Sequence, residues 1–258
     1  MPKQLYAVLH LVTDSGITIE RRTLKQATIA FSNGANGVFL IPAEGGMKPD
    51  IVVSCYNVVR KHFPKDFIGI NFMLPPSKAI KYLPMDADAI WTDYGIGVKD
   101  NSKEVAEMTS QLRNNGWEGE VFGGFYFKGN NSKIPSASTL KVETKKMEEI
   151  SDVLTTSGAS TGVAIETDVI EKISKFATKS VCIASGVSVE NVTEVLPYAD
   201  RFIVGTGIEE DSGDPNVIEF YKEAGLPTAV EVGSLSPEKV AKLSEKISQF
   251  GKTQEADA

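Results

Sequence analysis

Glycines and hydroxyl residues gather at three places in the second half of the sequence. Thr155-Thr156-Ser157-Gly158 continues into Ala159-Ser160-Thr161-Gly162, and Ser185-Gly186 and Gly205-Thr206-Gly207 follow further on. Glycine lets backbone approach a ligand closely, and the N–H groups left free where a helix begins attract anions. Thr161, Gly162, Ser185, Gly186, Gly205 and Thr206 are therefore candidates for holding a phosphate. The same residues also suit tight turns in which Ser and Thr satisfy their own backbone. Four further candidates stand on or beside other apolar runs. Asp93 could act as general acid or base, or as a metal ligand, or simply cap the following loop. Lys128 could neutralise an anionic substrate or form an imine, against the plainer reading of a surface lysine beside Gly129-Asn130-Asn131. His10 and Asn71 have inward parity on their runs, although a lone histidine in an apolar strand also reads as a core residue. One feature opposes an anion. Glu209-Glu210-Asp211 follow the last glycines directly and would repel a phosphate if they pointed inward but not if they faced solvent, and the sequence leaves their orientation open.

These candidates need elements to bring them together. Eight short runs rich in β-branched and aromatic residues serve as strands: Leu5 to Val12, Gly37 to Pro42, Phe67 to Met73, Ala87 to Gly95, Glu120 to Phe127, Asp152 to Gly158, Ser180 to Gly186 and Arg201 to Ile208. Between them apolar residues recur at helical spacing. Examples are Leu24, Ala27 and Phe31, then Ile51, Cys55, Val58 and Val59, then Val105, Met108 and Leu112, and late in the chain Val169, Ile170, Ile173 and Phe176. Thr167, Ser188 and Asp214 are placed to cap helices, with Pro215 in a first turn. The fifth unit is the weakest, with Gly129 to Ser138 loop-like and Leu140 to Ile150 highly charged. Strands joined by crossover helices are parallel. Eight in succession predict a closed α/β architecture, a single (β/α)8 TIM barrel, over an open doubly wound sheet, and no GxGxxG follows the first run. Residues 1–230 make the barrel on this reading. Residues 231–258 add a C-terminal helix, opened by Ser236-Pro237-Glu238, and a frayed polar tail from Lys252. In such a barrel the loops after the strands form the active face, with phosphate commonly held after strands seven and eight.

Composition narrows the partners. The chain has 258 residues and a net charge of −7. It carries no basic stripe of the kind a nucleic-acid binder uses, and no apolar run long enough to span a bilayer. Arg21-Arg22 and Lys145-Lys146 read as solvated faces, as does His62 beside Lys61. Cys55 and Cys182 lack metal or redox spacing and read as buried free thiols of a cytoplasmic protein. No metal or other cofactor is expected, since there is no HxH pair and no cluster at ligand spacing, and no GxSxG elbow appears. The expected partner is a small phosphorylated molecule, without nucleic acid or membrane insertion; self-association is compatible with the fold.

The last third of the chain adds a resemblance. Asp152 to Gly162 (DVLTTSGASTG), Ile183 to Val192 (IASGVSVENV) and Ala199 to Ile208 (ADRFIVGTGI) resemble the BtpA/SgcQ family, with its T-G-x-A-T-G, G-S-G-V-T-x-E-N-V and A-D-G-x-I-V-G-T-S segments in that order. Val8 to Leu11, Gly34 to Leu40, Gly69 to Asn71 and Lys128 are weaker echoes. The resemblance implies a phosphate-binding barrel without an established reaction, one branch being linked to photosystem I accumulation and another to sugar-utilisation genes. It carries His10, Asn71, Lys128, Thr161, Gly162, Ser185, Gly186, Gly205 and Thr206 onto family positions. The departures are Ile41-Pro42 in place of Glu-Asn, Trp91 in place of Arg, Asp93 in place of Asn, Gly124 and Tyr126 in place of Asp and His, and Glu209 in place of a cation. Together these readings predict an enzyme acting on a small phosphorylated metabolite, with a non-catalytic binding or assembly factor as the alternative.

Overall fold

Eight parallel strands close into a barrel in chain order in the computed structural model, which describes residues 2–13, 16–43, 46–97, 99–128, 135–226 and 229–256, with side chains as far as residue 250. The strands are β1 (Gln4–Leu11), β2 (Gly37–Pro42), β3 (Phe67–Ile70), β4 (Ala89–Ile96), β5 (Glu120–Phe125), β6 (Val153–Thr156), β7 (Ser180–Ala184) and β8 (Arg201–Val204). β1 pairs in parallel with both β2 and β8, which leaves no free edge. The connecting helices are α1 (Ile19–Ser32), α2 (Pro49–His62), α3 (Pro76–Ala79), α4 (Ser102–Asn114), α5 (Ala137–Ile150), α6 (Thr167–Ser174) and α7 (Val192–Val195). The expected (β/α)8 barrel is the observed fold.

Alternation along each strand divides the apolar residues into two cores. Tyr6 and Val8, Ala89 and Trp91, and Cys182 and Ala184 point inside the barrel with Phe39, Phe122 and Ile203. The residues between them face the helices, where Val105, Met108 and Leu112 of α4 and Val169, Ile170 and Ile173 of α6 are buried as their spacing predicts. The inner core is largely aromatic. Tyr6 and Phe67 lie 4.8 Å apart and Phe39 and Phe122 5.1 Å apart between ring centres. At its base Arg201 of β8 makes two hydrogen bonds to Glu120 of β5, of 2.6 and 2.9 Å, joining two strands inside the ring.

Past β8 the chain does more than the sequence predicts. A single 3-10 turn, Thr206–Ile208, leads to β9 (Glu209–Asp211), α8 (Pro215–Glu223), β10 (Val230–Leu235) and α9 (Pro237–Ala256). β9 and β10 form an antiparallel pair with an irregularity between Val230 and Leu235. Val240, Leu243 and Ile247 seat α9 in the outer core.

Several local expectations are corrected. The third, fifth, sixth, seventh and eighth strands stop two or more residues earlier than expected, with non-glycine residues of positive φ just past the third, fifth and seventh (Met73, Tyr126, Ser185). Asn71 thus lies one residue past β3, although its amide still donates to the Leu40 carbonyl of β2 at 3.0 Å. Asp214 caps α8 by accepting from the Asn216 amide. Thr167 is instead the first residue of α6, which has no side-chain cap, and Ser188 accepts from Glu190 in the turn ahead of α7. On α1 the buried face is Thr23, Gln26, Ala27 and Ala30, so Leu24 and Phe31 only flank it. α9 runs to Ala256, through most of the expected tail. The loop reading of residues 129–134 lies outside the described residues.

Candidate active site at the barrel mouth

Two adjoining cavities open at the C-terminal ends of the strands. One, of about 240 Å³, is central; Val8, Ile41, Trp91, Phe127 and Ile203 form its apolar wall, and His10, Asp93 and Lys128 its polar groups. The other, of about 500 Å³, lies over the last three units, between 161–164, 186–191, 206–207 and the start of α9 at Lys239. Thr161, Thr206 and Tyr221 line both, so they form the passage between them.

Asp93 owes its aim to an irregular strand. Thr92 pairs with Gly123 and Gly95 with Gly124, so Asp93 and Tyr94 are extra residues in β4 with no counterparts in β5. A bulge of this kind re-aims side chains and is common beside active sites. It also explains Gly124, where the family carries a polar residue. A Cβ there would meet the Asp93 carbonyl oxygen at 2.3 Å. The Asn71 amide nitrogen donates to Asp93 Oδ1 at 3.2 Å, while its own oxygen accepts from the Met73 amide at 2.8 Å and fixes the flip of the amide. Lys128 Nζ stands 3.8 Å from Asp93 Oδ2. Burial pushes the Asp93 carboxyl above the ordinary value of 3.8, and the Lys128 ammonium and the Asn71 hydrogen bond oppose this only in part. A carboxyl that holds its proton more tightly than an exposed one, next to a cation, is suited to proton transfer. Asn71 does not line the cavity; it orients Asp93.

Backbone strain concentrates here. Among the described residues, the non-glycine residues with φ in the left-handed region are Met73 (54°), Tyr126 (50°), Lys128 (40°) and Ser185 (81°), all just past the ends of strands β3, β5 and β7. Such conformations cost on the order of 1–3 kcal/mol each and gather at functional sites. Lys128 is fixed by its amide, which donates to Ser157 Oγ beyond β6 at 2.8 Å.

The glycine loops interlock. Ser185 Oγ accepts from the Gly162 amide at 3.2 Å, tying the loop after β6 to the end of β7. A Cβ on Gly158 or Gly186 would meet the Val163 carbonyl oxygen at 1.9 or 2.0 Å, and one on Gly207 the Val187 oxygen at 2.0 Å. These glycines permit backbone-on-backbone packing beside the larger cavity, whose lining combines Gly162, Gly186 and Gly207 with Glu190, Asp211, Tyr221 and Lys239. Gly205 differs, since its Cβ would lie 2.8 Å from His10 Cε1.

The acids after β8, whose orientation the sequence leaves open, divide in the structure. Glu209 is fully buried and turns toward the barrel, with Oε1 2.8 Å from His10 Nδ1. Glu210 and Asp211 are exposed, and Asp211 accepts from Lys239 Nζ at 2.8 Å. Trp91, Glu209, Tyr221 and Lys239 are the residues at the mouth that motif reading missed. Trp91 was noted only as a departure and Glu209 as a departure and an acid opposing an anion, and the last two lie on helices outside the strand ends. Burial pushes the Cys55 thiol up to about 11 and that of Cys182 higher, so both are inert packing groups. Among the described residues no group of three or more His, Cys, Asp or Glu could hold a metal ion, and no helix is long and apolar enough to cross a membrane.

Comparison with known proteins agrees with the geometry. Residues 125–226 match the BtpA family model, so the resemblance read in the sequence holds over that stretch. A Thermococcus kodakarensis protein described as uncharacterised is 33% identical over 77 residues, a match spanning only 30% of either chain. Among solved structures, the tryptophan synthase alpha subunit of Legionella pneumophila aligns with a TM-score of 0.60 at 14% identity, over 96% of this chain and 93% of that one. Thiamine phosphate pyrophosphorylase of Pyrococcus furiosus gives 0.56 at 14%, over 96% of each. Orotidine 5′-monophosphate decarboxylase of Methanocaldococcus jannaschii, complexed with inhibitor BMP, gives 0.58 at 13%, over 96% and 99%. At these identities the likeness is one of fold.

Proposed function

On the premise of that family likeness, we propose that the protein is an enzyme acting on a small phosphorylated metabolite, such as a sugar phosphate or a nucleotide derivative. One observation carries the reading: a cavity with glycines from the loops after β6, β7 and β8 in its wall adjoins, at Thr161, Thr206 and Tyr221, a second one holding an Asp93–Lys128 pair. The phosphate sits against the amides at Gly186 and Thr206, with the Ser185 hydroxyl bracing the Gly162 loop by accepting from its amide, where oriented N–H groups bind anions. The body of the substrate lies in the central cavity against Trp91 and Phe127. Asp93 gives or takes a proton, oriented by Asn71, and Lys128 stabilises developing negative charge or forms an imine with a carbonyl. His10 is the third polar group at this cavity, and Gly205 keeps room for its ring. Two structural neighbours named for phosphorylated compounds, a thiamine phosphate pyrophosphorylase and an orotidine 5′-monophosphate decarboxylase, support a phosphorylated ligand.

Thermal melting with inorganic phosphate and a panel of phosphate monoesters tests this. A ligand at about 100 times its Kd adds about 2.7 kcal/mol, or roughly 5–10 °C in a protein of this size. No stabilisation at millimolar concentrations overturns the phosphate site. Borohydride with carbonyl-bearing esters tests the imine, and absence of a Lys128 adduct removes it. A second reading, a non-catalytic binding barrel, draws on the Glu190 and Asp211 carboxylates lining the larger cavity against the single cation Lys239. Melting unmoved by any ester, with a protein partner that co-purifies, favours that alternative.

A further inference from the structure

Glu209 is a buried carboxylate that the phosphate reading leaves unused. It is wholly shielded from solvent; its Oε1 accepts from the Gly233 amide at 2.7 Å and lies 2.8 Å from His10 Nδ1, and its Oε2 has no partner among the described residues. Three features build this contact. The turn Thr206–Ile208 and strand β9 bring Glu209 back over the barrel, where Lys239 Nζ donates to its carbonyl oxygen at 2.9 Å. The irregular strand β10 bends at Gly233, whose φ of 77° presents its amide to the carboxylate. A Cβ on Gly233 would meet Val12 Cγ2 at 2.8 Å and the His10 carbonyl at 2.9 Å, so the close approach needs glycine. Gly205, without a Cβ, leaves the Cε1 edge of the ring uncovered.

An ionised carboxylate can only accept hydrogen bonds, so its neighbour Nδ1 must carry the proton. The other ring nitrogen, Nε2, then keeps its lone pair, on a residue that lines the central cavity. We propose that Glu209 is a positioning residue that holds His10 as the Nδ1–H tautomer, so that Nε2 accepts a proton from a ligand in the central cavity. The proton leaves an X–H group of the ligand, its bonding pair stays on X, and the imidazolium that forms is stabilised by the carboxylate behind it. His10 on β1 and Asp93 on β4 then give the cavity two proton-handling groups on separate strands, an arrangement that moves a proton between two positions of one substrate. This rests on the reading of the central cavity as the reaction site, but its test needs no ligand.

The chain has two histidines, and His62→Gln, at an exposed helix end, leaves His10 as the only imidazole. Proton–nitrogen correlation spectra of that protein read the tautomer directly, and the expected result near neutral pH is Nδ1 protonated and Nε2 bare. Adding Glu209→Leu moves the spectrum to the mixture of a free imidazole, and acylation of His10 by diethyl pyrocarbonate slows several-fold. Glu209→Gln, whose amide oxygen still accepts, keeps the Nδ1–H tautomer. An Nε2–H tautomer in the His62→Gln protein overturns the proposal, as does a tautomer unchanged by Glu209→Leu. Should Glu209→Leu not fold, the His62→Gln spectrum and the Glu209→Gln comparison decide. Phosphate-dependent melting is read separately, so loss of the phosphate site and loss of the dyad are distinguishable.

Discussion

At the scale of single residues, the candidate chemistry rests on Asp93 being kept where its charge is disfavoured. A carboxyl raised by burial binds its proton more tightly in the folded than in the unfolded chain. Between the ordinary value of 3.8 and the raised folded value, stability therefore falls as pH rises. At neutral pH the ionised group is a net cost, and acidification through that window relieves it. Asp93→Asn is expected to raise the melting temperature near neutral pH, with an advantage over the parent that shrinks as pH is lowered toward 3.8, and to abolish turnover of any substrate found. Melting curves of both proteins across that range check the sign. A variant less stable than the parent at neutral pH would mean that the Lys128 and Asn71 contacts outweigh the burial of the charge. The residue types were legible in the sequence, since Asp93, Lys128 and His10 all reach one cavity. The partner of each was not, because Glu209 is 199 residues from His10 and no periodicity links them.

At the scale of elements, the loops after β6, β7 and β8 behave as one unit because their carbonyls and glycines interlock. Gly186 has a φ of 74°, and a Cβ there would lie 2.0 Å from the Val163 oxygen. Gly186→Ala is expected to cost about 1–3 kcal/mol in urea unfolding. It should also erase phosphate-dependent stabilisation, since the loop after β6 must withdraw. Retained stabilisation would place the anion elsewhere. The glycines that the sequence singled out lie at the strand ends around the larger cavity, and they serve different purposes. Gly158, Gly186 and Gly207 serve close packing, and Gly205 serves the His10 ring. The bulge in β4 was hidden, although Gly95 and Gly123-Gly124 in facing strands were its trace. β9 and β10 escaped pattern reading because their pairing is short and irregular.

At the scale of the whole molecule, closure of the ring and its terminal helix set stability. Arg201 and Glu120 link β8 to β5 at the base of the inner core, and the Arg201 guanidinium also lies 5.4 Å from the centre of the Phe122 ring. Arg201→Met leaves Glu120 without its cation and is expected to cost about 2–4 kcal/mol, measured by urea unfolding. A loss below about 0.5 kcal/mol would class the pair with exposed ion pairs. α9 buries Val240, Leu243 and Ile247 almost completely. At about 1.5–3 kcal/mol for each side chain the loss approaches the 5–15 kcal/mol that holds a typical domain together. A chain ending at Ser236 is expected to lack a cooperative melt and to be cleaved rapidly by protease; a sharp transition would show α9 to be an appendage.

The order and number of the βα units, and therefore the barrel, were determined by the sequence alone. Local alternation and helical spacing are properties of neighbouring residues, and eight units in succession leave few ways to bury both faces of the strands. The tertiary structure decided which polar groups meet. The acids after the last strand, which the sequence placed in conflict with an anion, divide on folding: Glu209 turns inward to His10, while Asp211 pairs with Lys239 at the wall of the larger cavity. That division depends on a hairpin returning over the barrel mouth and on single glycines that allow atoms far apart in the chain to approach within hydrogen-bonding distance.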